Sequence, residues 1–254
     1  MEKTLYVNGC SWTDGDVLDY NGVSQHFGLN GKGRDYSYPT LVANRFKFNL
    51  IDESRYGGSI NRITRMCWEY IISKNSLINE TIFILEIPNG FRDEIYSNQY
   101  KKFFNITGGL LSNPKDQTEY GTEWNDIKKD VINNYYNFNN FDEFSKKEYI
   151  GLMGLISYIK TYTNKIYLIQ PYDVVNKYGL YYNIINDTNI IKLSDNTFNL
   201  NEYNLIQDMC KNEKLSIGHE LNNGIEDTHP GISGHKKISE IIIKHILKHA
   251  INII

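Results

Sequence analysis

The segment Leu5-Tyr-Val-Asn-Gly-Cys-Ser-Trp-Thr13, close to the N-terminus, indicates what kind of domain this chain forms. Residues Thr4 to Asn8 are mostly β-branched, aromatic or apolar and predict a buried strand. The strand pattern stops at Gly9, and Ser11 follows among small and polar residues. Open α/β sheets bind ligands outside the carboxyl ends of their strands, so Ser11 is a candidate nucleophile. The alternative is that Ser11 only caps a following helix.

A second segment, Glu226-Asp-Thr-His-Pro-Gly-Ile-Ser-Gly-His235, contains the groups that a serine nucleophile needs. A serine hydroxyl attacks an acyl carbon when a base accepts its proton, and a neutral imidazole can do this. His229 is the candidate base. His235 is the rival base, although its place inside the closing helix favours a surface or packing role. Asp227 or Glu226 would orient the imidazole; we favour Asp227 and keep Glu226 open.

The order of these segments resembles that of the SGNH (GDSL-type) hydrolase superfamily. Four blocks carry the resemblance: Gly9-Cys10-Ser11, Tyr56-Gly57-Gly58-Ser59-Ile60-Asn61, Ile87-Pro88-Asn89-Gly90 and Glu226-Asp227-Thr228-His229. The first departs from the family at Cys10, where the family has aspartate, and the third keeps only Asn89. The family spacing puts the orienting acid three residues before the histidine, at Glu226.

The resemblance implies an oxyanion hole as well as a nucleophile and a base. Its donors would be the backbone N–H groups of Ser11 and Gly58 and the side-chain amide of Asn89. Gly58 and Asn89 also suit plain turns after strands, which remains an alternative for both. Cys10 is adjacent to the nucleophile position and is expected to be a buried packing residue.

Composition and charge exclude several other classes of protein. The chain has 254 residues, 41% of them hydrophobic and 22% charged, with a net charge of −3. It lacks extended basic clusters, which disfavours nucleic-acid binding. The sequence contains no apolar run long enough for a membrane span and no apolar signal region at its start. The expected location is therefore cytoplasmic. Three cysteines at unrelated spacings argue against a disulfide framework and a metal site.

The order of predicted elements indicates an α/β protein. Strand patterns at Thr4–Asn8, Phe48–Asp52, Thr81–Ile87 and Lys165–Gln170 alternate with helical patterns, and 190–193 suggests a last short strand. The expected fold is a single three-layer α/β/α domain over 1–254, with a flavodoxin-like parallel sheet of about five strands. Residues 91–144 lack sustained strand alternation and are expected to form an inserted subregion or lid with some helix of its own.

The expected function is that of a serine esterase of the SGNH type that works through an acyl-enzyme. The expected substrate is a small-molecule or carbohydrate ester, with an O-acetyl or short acyl group on a sugar favoured by the resemblance. Neither a cofactor nor a metal is expected, nor a nucleic-acid or membrane partner. Two alternatives remain open: an acyltransferase on the same scaffold, and a non-catalytic carbohydrate-binding module with a degraded site.

Overall fold

The computed structural model describes residues 3–15, 18, 29, 32–55, 57–88, 92–107, 141–169, 206–221 and 227–249. The strands are β1 (Thr4–Asn8), β2 (Asn49–Asp52), β3 (Thr81–Glu86), β4 (Arg92–Ser97), β5 (Lys102–Thr107) and β6 (Ile166–Ile169). The helices are α1 (Ser11–Asp14), α2 (Tyr38–Phe46), α3 (Ile60–Ser73), α4 (Phe141–Lys160), α5 (Ile206–Asn212), α6 (Ile217–Leu221) and α7 (Ile232–His249). Two short 3₁₀ segments, Gly33–Tyr36 and Asn75–Glu80, precede α2 and β3.

Four parallel strands form the main sheet in the order β2-β1-β3-β6. The register pairs Leu5 with Leu50 on one side and with Ile82 on the other. β1 and β3 are buried along their whole length, which is typical of central strands covered on both faces. The predicted α/β fold with a parallel sheet flanked by helices is therefore confirmed.

Alternate side chains of the central strands supply two separate cores. Leu5 and Val7 face α2 and α7, whereas Tyr6 faces α3 and α4. Each fully buried apolar side chain contributes about 1.5–3 kcal/mol relative to an exposed one. The helices therefore lie in two layers, one on each side of the sheet.

The topology locates the functional edge of this sheet. The chain passes from β1 to β2 through α2 on one face and then crosses back to β3 through α3 on the other. The direction of winding therefore reverses at β1, as it does in flavodoxin-like sheets, which bind ligands at this switch point. Ser11 follows β1 directly, so it lies at the switch point.

The segment after β3 differs from the sequence-based expectation. Residues 92–107 form an antiparallel hairpin of β4 and β5, where we expected no sustained strand and some helix. The inward-facing position Asp93 hid the alternation, because this acid is buried and accepts a hydrogen bond from Asn61 Nδ2 at 2.8 Å. Residues 108–140 and the suggested strand at 190–193 lie outside the described residues, so the single-domain and insertion hypotheses stay predictions.

The hairpin is attached to α3 by a charged contact. Arg65 Nε and Nη2 donate to the two carboxylate oxygens of Glu94, each at 2.7 Å. The Arg65 guanidinium also lies 4.0 Å from the centroid of the Phe103 ring. This bidentate pairing is geometrically specific, and it fixes the hairpin beside the helix that follows β2.

A bilayer crossing would need a long apolar helix, and none is found among the residues that the structure describes.

Candidate active site

Ser11 lies on a tight turn where β1 passes into α1. Cys10 has an extended backbone conformation, and its carbonyl accepts hydrogen bonds from the N–H groups of Thr13 at 2.9 Å and Asp14 at 3.2 Å. Ser11 is thus the first residue of the helix, and its N–H has no acceptor within that helix. Gly15 ends the turn with a φ of 71°, a conformation that favours glycine. The predicted turn after the first strand is present, and the alternative that Ser11 caps a helix is wrong, because Cys10 occupies the cap position.

The histidine lies on a second turn, between α6 and α7. Ile217 N–H donates to the His229 carbonyl at 2.8 Å, and Gly218 N–H donates to the Asp227 carbonyl at 3.0 Å. An isolated β-bridge between Ser216 and Pro230 continues this pairing. These backbone contacts hold the histidine turn against the start of α6.

The start of α7 is capped from outside the helix. The Glu220 carboxylate accepts the N–H groups of Ile232 at 3.0 Å and Ser233 at 2.9 Å. A carboxylate at this position satisfies free N–H groups and complements the helix dipole. Glu220 on α6 therefore ties the turn, α6 and α7 together.

Ser11, His229 and Asp227 form one hydrogen-bonded chain. Ser11 Oγ lies 2.9 Å from His229 Nε2, and His229 Nδ1 lies 2.8 Å from Asp227 Oδ1. The same Oδ1 atom also accepts the backbone N–H of His229 at 2.9 Å. Because a carboxylate only accepts, Nδ1 carries a proton and Nε2 is left to accept from the serine hydroxyl. The structure thus brings together three of the sequence-predicted residues.

Asp227 is held in its charged form. Burial alone would raise the pKa of this carboxyl, but hydrogen bonds from the side chain and backbone of His229, and its charge, lower it below the usual value. The Asp227 and His229 side chains are about a quarter exposed, at 27% and 25%, whereas Ser11 is only 2% exposed. Glu226, the alternative acid, lies outside the described residues.

Trp12 is an aromatic neighbour of the candidate base that sequence reasoning missed. Its indole ring lies against the His229 imidazole, with ring centroids 4.8 Å apart and planes inclined by 31°. Trp12 is almost fully buried and follows the serine directly. This ring contact restricts rotation of the imidazole.

His235, the rival base, is a packing residue. It is 1% exposed, and its Nδ1 accepts the backbone N–H of Tyr38 at 3.3 Å. Burial, with a smaller effect from the charge of His229, lowers the pKa of His235 to about 3. A neutral, buried imidazole with an occupied Nδ1 joins α7 to α2.

Glu86 is the most informative residue that the sequence analysis did not single out. This last residue of β3 is fully buried, and its carboxylate accepts the N–H of Cys10 at 3.0 Å and the Cys10 thiol at 2.7 Å. It also accepts the hydroxyl of Thr13. A glutamate between Leu85 and Ile87, inside a buried apolar strand, is the signal that could have found it.

Gly58 packs against the turn that carries Ser11. A Cβ atom there would lie 2.5 Å from the carbonyl oxygen of Gly9, so only glycine fits. The Gly58 N–H itself donates to the Arg55 carbonyl at 2.9 Å. In this conformation Gly58 allows the two turns to approach, and its N–H is not directed at an oxyanion. Asn89 lies outside the described residues.

A buried arginine joins the ends of β1 and β2. Arg62 Nη1 donates to the Glu53 carbonyl at 2.6 Å and to Asn8 Oδ1 at 3.2 Å. Burial, followed by the charge of Arg55, lowers the pKa of Arg62. Ser59 caps the same helix by accepting the Arg62 N–H at 3.1 Å. The second block therefore positions α3 as well as Gly58.

Metal ligation has no support in this region. Among the described residues, no three His, Cys, Asp or Glu side chains cluster in a way that could hold an ion.

No family model and no curated protein matches the chain. Solved structures similar to it include the psychrotrophic esterase EstA from Pseudoalteromonas sp., at 13% identity and a TM-score of 0.49, covering 99% of this chain and 100% of EstA. A lipolytic protein of the G-D-S-L family from Desulfitobacterium hafniense DCB-2 is 11% identical, with a TM-score of 0.45, and the match covers 96% of this chain and 99% of that protein. Axe2, an acetylxylan esterase from Geobacillus stearothermophilus, is 14% identical, with a TM-score of 0.42, and the match covers 96% of this chain and 94% of Axe2. All three TM-scores are below 0.5, so the function of this chain has to be inferred from its own side chains.

Proposed function

We propose that this protein is a serine esterase of the SGNH type that cleaves its substrate through an acyl-enzyme. The observation that carries the proposal is the chain from Ser11 Oγ through His229 to Asp227, with contacts of 2.9 Å and 2.8 Å. Nucleophile, base and orienting acid within hydrogen-bond reach are the geometric requirement for this chemistry. Its place at the switch point of the sheet, where such folds bind ligands, supports the same interpretation.

The acylation step uses each member of the chain once. His229 Nε2 accepts the proton of Ser11 as Oγ bonds to the ester carbonyl carbon, whose oxygen takes the negative charge. The imidazolium formed is stabilised by the Asp227 carboxylate. When the carbonyl re-forms, the C–O bond to the alcohol breaks and His229 returns the proton to the leaving oxygen. The alcohol departs and the acyl group remains on Ser11.

Deacylation repeats these roles with water in place of the serine. His229 Nε2 accepts a proton from water, the resulting hydroxide attacks the acyl carbon, and Ser11 leaves with the proton that His229 returns. A carboxylic acid is released and the free enzyme is restored. Transfer to a sugar hydroxyl in place of water would give the acyltransferase outcome.

The oxyanion needs donors that are directed at the developing charge. The Ser11 N–H, which has no acceptor within its helix, is the donor that the geometry supports best. Gly58 qualifies only if its N–H leaves the Arg55 carbonyl on substrate binding. The side-chain amide of Asn89 remains a proposed donor, on the resemblance alone.

A carbohydrate is the alcohol part that we propose for the ester. The hairpin that follows the third block carries Tyr96 and Phe103 opposite each other, with ring centroids 5.0 Å apart. Both are more than 40% exposed, at 44% and 41%, although large aromatic side chains are usually well buried. Arg65 covers one face of the Phe103 ring, and the ring surface that stays exposed suits stacking against the apolar faces of sugar rings. This supports short acyl esters of saccharides as substrates.

The test is covalent labelling with a serine-directed ethyl phosphonate, read by mass spectrometry of the intact protein and its peptides. We expect one label, on Ser11, and hydrolysis of p-nitrophenyl acetate by the unlabelled protein. Ser11→Ala and His229→Ala should both abolish labelling while thermal melting stays close to that of the wild type. Labelling at another serine, or persistent hydrolysis by Ser11→Ala, would contradict the proposal.

The two alternatives have their own readouts. An acyl-enzyme that forms but is discharged faster by an added sugar acceptor than by water indicates a transferase. Binding of an acetylated oligosaccharide without labelling or hydrolysis indicates a non-catalytic module.

A further inference from the structure

The buried carboxylate of Glu86 accepts hydrogen bonds from the polar groups of the turn that carries Ser11. Glu86 Oε2 accepts the Cys10 N–H at 3.0 Å, and Glu86 Oε1 accepts the Cys10 thiol at 2.7 Å. The Thr13 hydroxyl donates to Oε2 as well. These donors come from the residue before Ser11 and the residue two after it. The Glu86 carboxylate on β3 therefore holds the chain on both sides of Ser11.

The position of Glu86 follows from strand alternation. In β3, Ile82 and Ile84 face the layer of α2 and α7, and Glu86 continues the same face. β1 and β3 are paired neighbours, with Asn8 opposite Leu85, so Glu86 lies beside the turn that leaves β1. A charged group in such a place is costly unless it is hydrogen-bonded, and here three donors satisfy it.

Cys10 takes part as a donor. Burial, and then the negative charge of Glu86, raise the pKa of the Cys10 thiol far above its ordinary value. The group is therefore a neutral S–H at physiological pH and points at Glu86. A thiolate nucleophile at Cys10 is excluded by the same charge, because two anions would share one buried site.

The contact extends to the helix layer. Because the Thr13 hydroxyl donates its hydrogen bond to the carboxylate, it accepts one at 2.9 Å from the hydroxyl of Tyr38, the first residue of α2. The Tyr38 N–H in turn donates to His235 on α7. Gly9 leaves no spare room, since a Cβ there would collide with Thr13 Oγ1 and with the Glu86 side chain. The turn that carries Ser11 is thus closely packed against Glu86.

We propose that Glu86 is the positioning residue of this active site, which holds Ser11 in hydrogen-bond reach of His229 through Cys10 and Thr13. The inference rests on the proposed function, because it assigns Glu86 a role only if Ser11 is the nucleophile. A single helical turn, Ser11–Asp14, cannot hold its own geometry in isolation, so it needs an external anchor. A displacement of about 1 Å at a nucleophile can lower a rate by about 10²-fold.

The donor and acceptor of this contact can be exchanged, which gives a specific test. In Glu86→Gln, the amide oxygen can keep the two donors at Oε2, while the amide nitrogen faces the Cys10 thiol and that hydrogen bond is lost. In Cys10→Asp, two carboxylates meet in a buried site and repel. In the double variant Cys10→Asp with Glu86→Gln, the new carboxylate on the turn accepts an N–H of the new amide on β3, so the contact is restored with reversed polarity.

The measurement is the rate of phosphonate labelling per folded molecule at neutral pH, with folding checked by thermal melting and circular dichroism. We expect a loss of about 10- to 10²-fold in Glu86→Gln and a larger loss in Cys10→Asp. The double variant should label at least about tenfold faster than Cys10→Asp. The double variant carries one negative charge at this contact, as the wild type does, so its labelling should keep the pH midpoint of the wild type.

Glu148→Gln is the matched control. Glu148 is a second buried carboxyl, on α4 in the opposite layer, and burial followed by the charge of Asp93 raises its pKa to about 9. It is therefore protonated at neutral pH, and its exchange to an amide changes shape little. Labelling of this variant should match the wild type, whatever its melting temperature.

The outcomes separate the two proposals. If the wild type is not labelled at Ser11, the proposed function fails. If the wild type is labelled at Ser11 but Glu86→Gln is labelled at the wild-type rate, only the role of Glu86 fails. A double variant that is folded and no faster than Cys10→Asp also overturns that role. If Cys10→Asp does not fold, a double variant that folds and is labelled supports it. If neither folds, the rate of Glu86→Gln decides.

Discussion

Replacement of Asp227 by asparagine tests whether the Oδ1 atom of Asp227 orients His229. Asp227 Oδ1 accepts both the backbone N–H and the Nδ1–H of His229, at 2.9 Å and 2.8 Å. An amide oxygen at this position keeps both hydrogen bonds, whereas an amide nitrogen would face two donors. Asp227→Asn should therefore place its oxygen toward His229 and preserve the productive tautomer.

The expected loss follows from the charge alone. A hydrogen bond to a charged partner contributes about 1.5–3 kcal/mol, and a neutral one about 1 kcal/mol. Removing the charge should then cost about 0.5–2 kcal/mol of transition-state stabilisation, or about 2- to 30-fold in kcat/KM. In a serine protease in which the amide favours the wrong tautomer, the same exchange costs about 10⁴-fold. The backbone N–H of His229 is the reason for the difference.

The assay is kcat/KM for p-nitrophenyl acetate, with the phosphonate labelling rate as a second readout. Glu226→Gln is the matched control and should stay near the wild-type rate, and Asp227→Ala should lose more than Asp227→Asn because it removes the acceptor. A loss of about 10⁴-fold in Asp227→Asn would show that the His229 backbone N–H does not keep the amide oxygen directed at His229. A wild-type rate in Asp227→Asn with a large loss in Glu226→Gln would move the orienting acid to Glu226.

Three further predictions concern stability and substrate choice. Because burial and then the charge of Asp93 raise the pKa of Glu148 to about 9, the folded protein keeps this proton while the unfolded chain releases it above its ordinary pKa, so the free energy of unfolding falls as pH rises from about 5 to about 9. Denaturant unfolding should show a slope of about 1.4 kcal/mol per pH unit that Glu148→Gln removes, and a flat wild-type profile would contradict this. Gly58→Ala should lower the free energy of unfolding by about 1–3 kcal/mol, because its Cβ meets the Gly9 carbonyl; an unchanged melting temperature would refute the close approach. Replacing 108–140 by a short linker should change relative rates on different esters more than thermal stability, and global unfolding would show that the segment is core.

Much of this site could be predicted from local sequence pattern. The β-branched and aromatic run before Gly9 ends where Ser11 begins α1, and Pro230 stands just before α7. Strand and helix periods are local properties, so the order of elements along the chain follows from the sequence. The switch point at β1 depends on the order of the strands in the sheet, which only the structure shows. The pairing of Ser11 with His229 came from the ordered blocks.

The choice between Asp227 and Glu226 could not be predicted from spacing. Two adjacent acids differ by one residue in reach, and only the turn held by α6 directs Asp227 Oδ1 at both N–H groups of His229. The role of His235 was likewise undecided until its burial between α2 and α7 was known.

The amino-acid sequence by itself determined the α/β layering and the turn that carries Ser11, because side-chain periodicity and glycine placement act over a few residues. The tertiary structure decided which polar groups meet. Glu86 lies 76 positions from Cys10, yet the parallel pairing of β1 with β3 brings its carboxylate within hydrogen-bond distance. Strand register and sheet order set such long-range contacts, and they depend on how all the layers pack together, which no local pattern records.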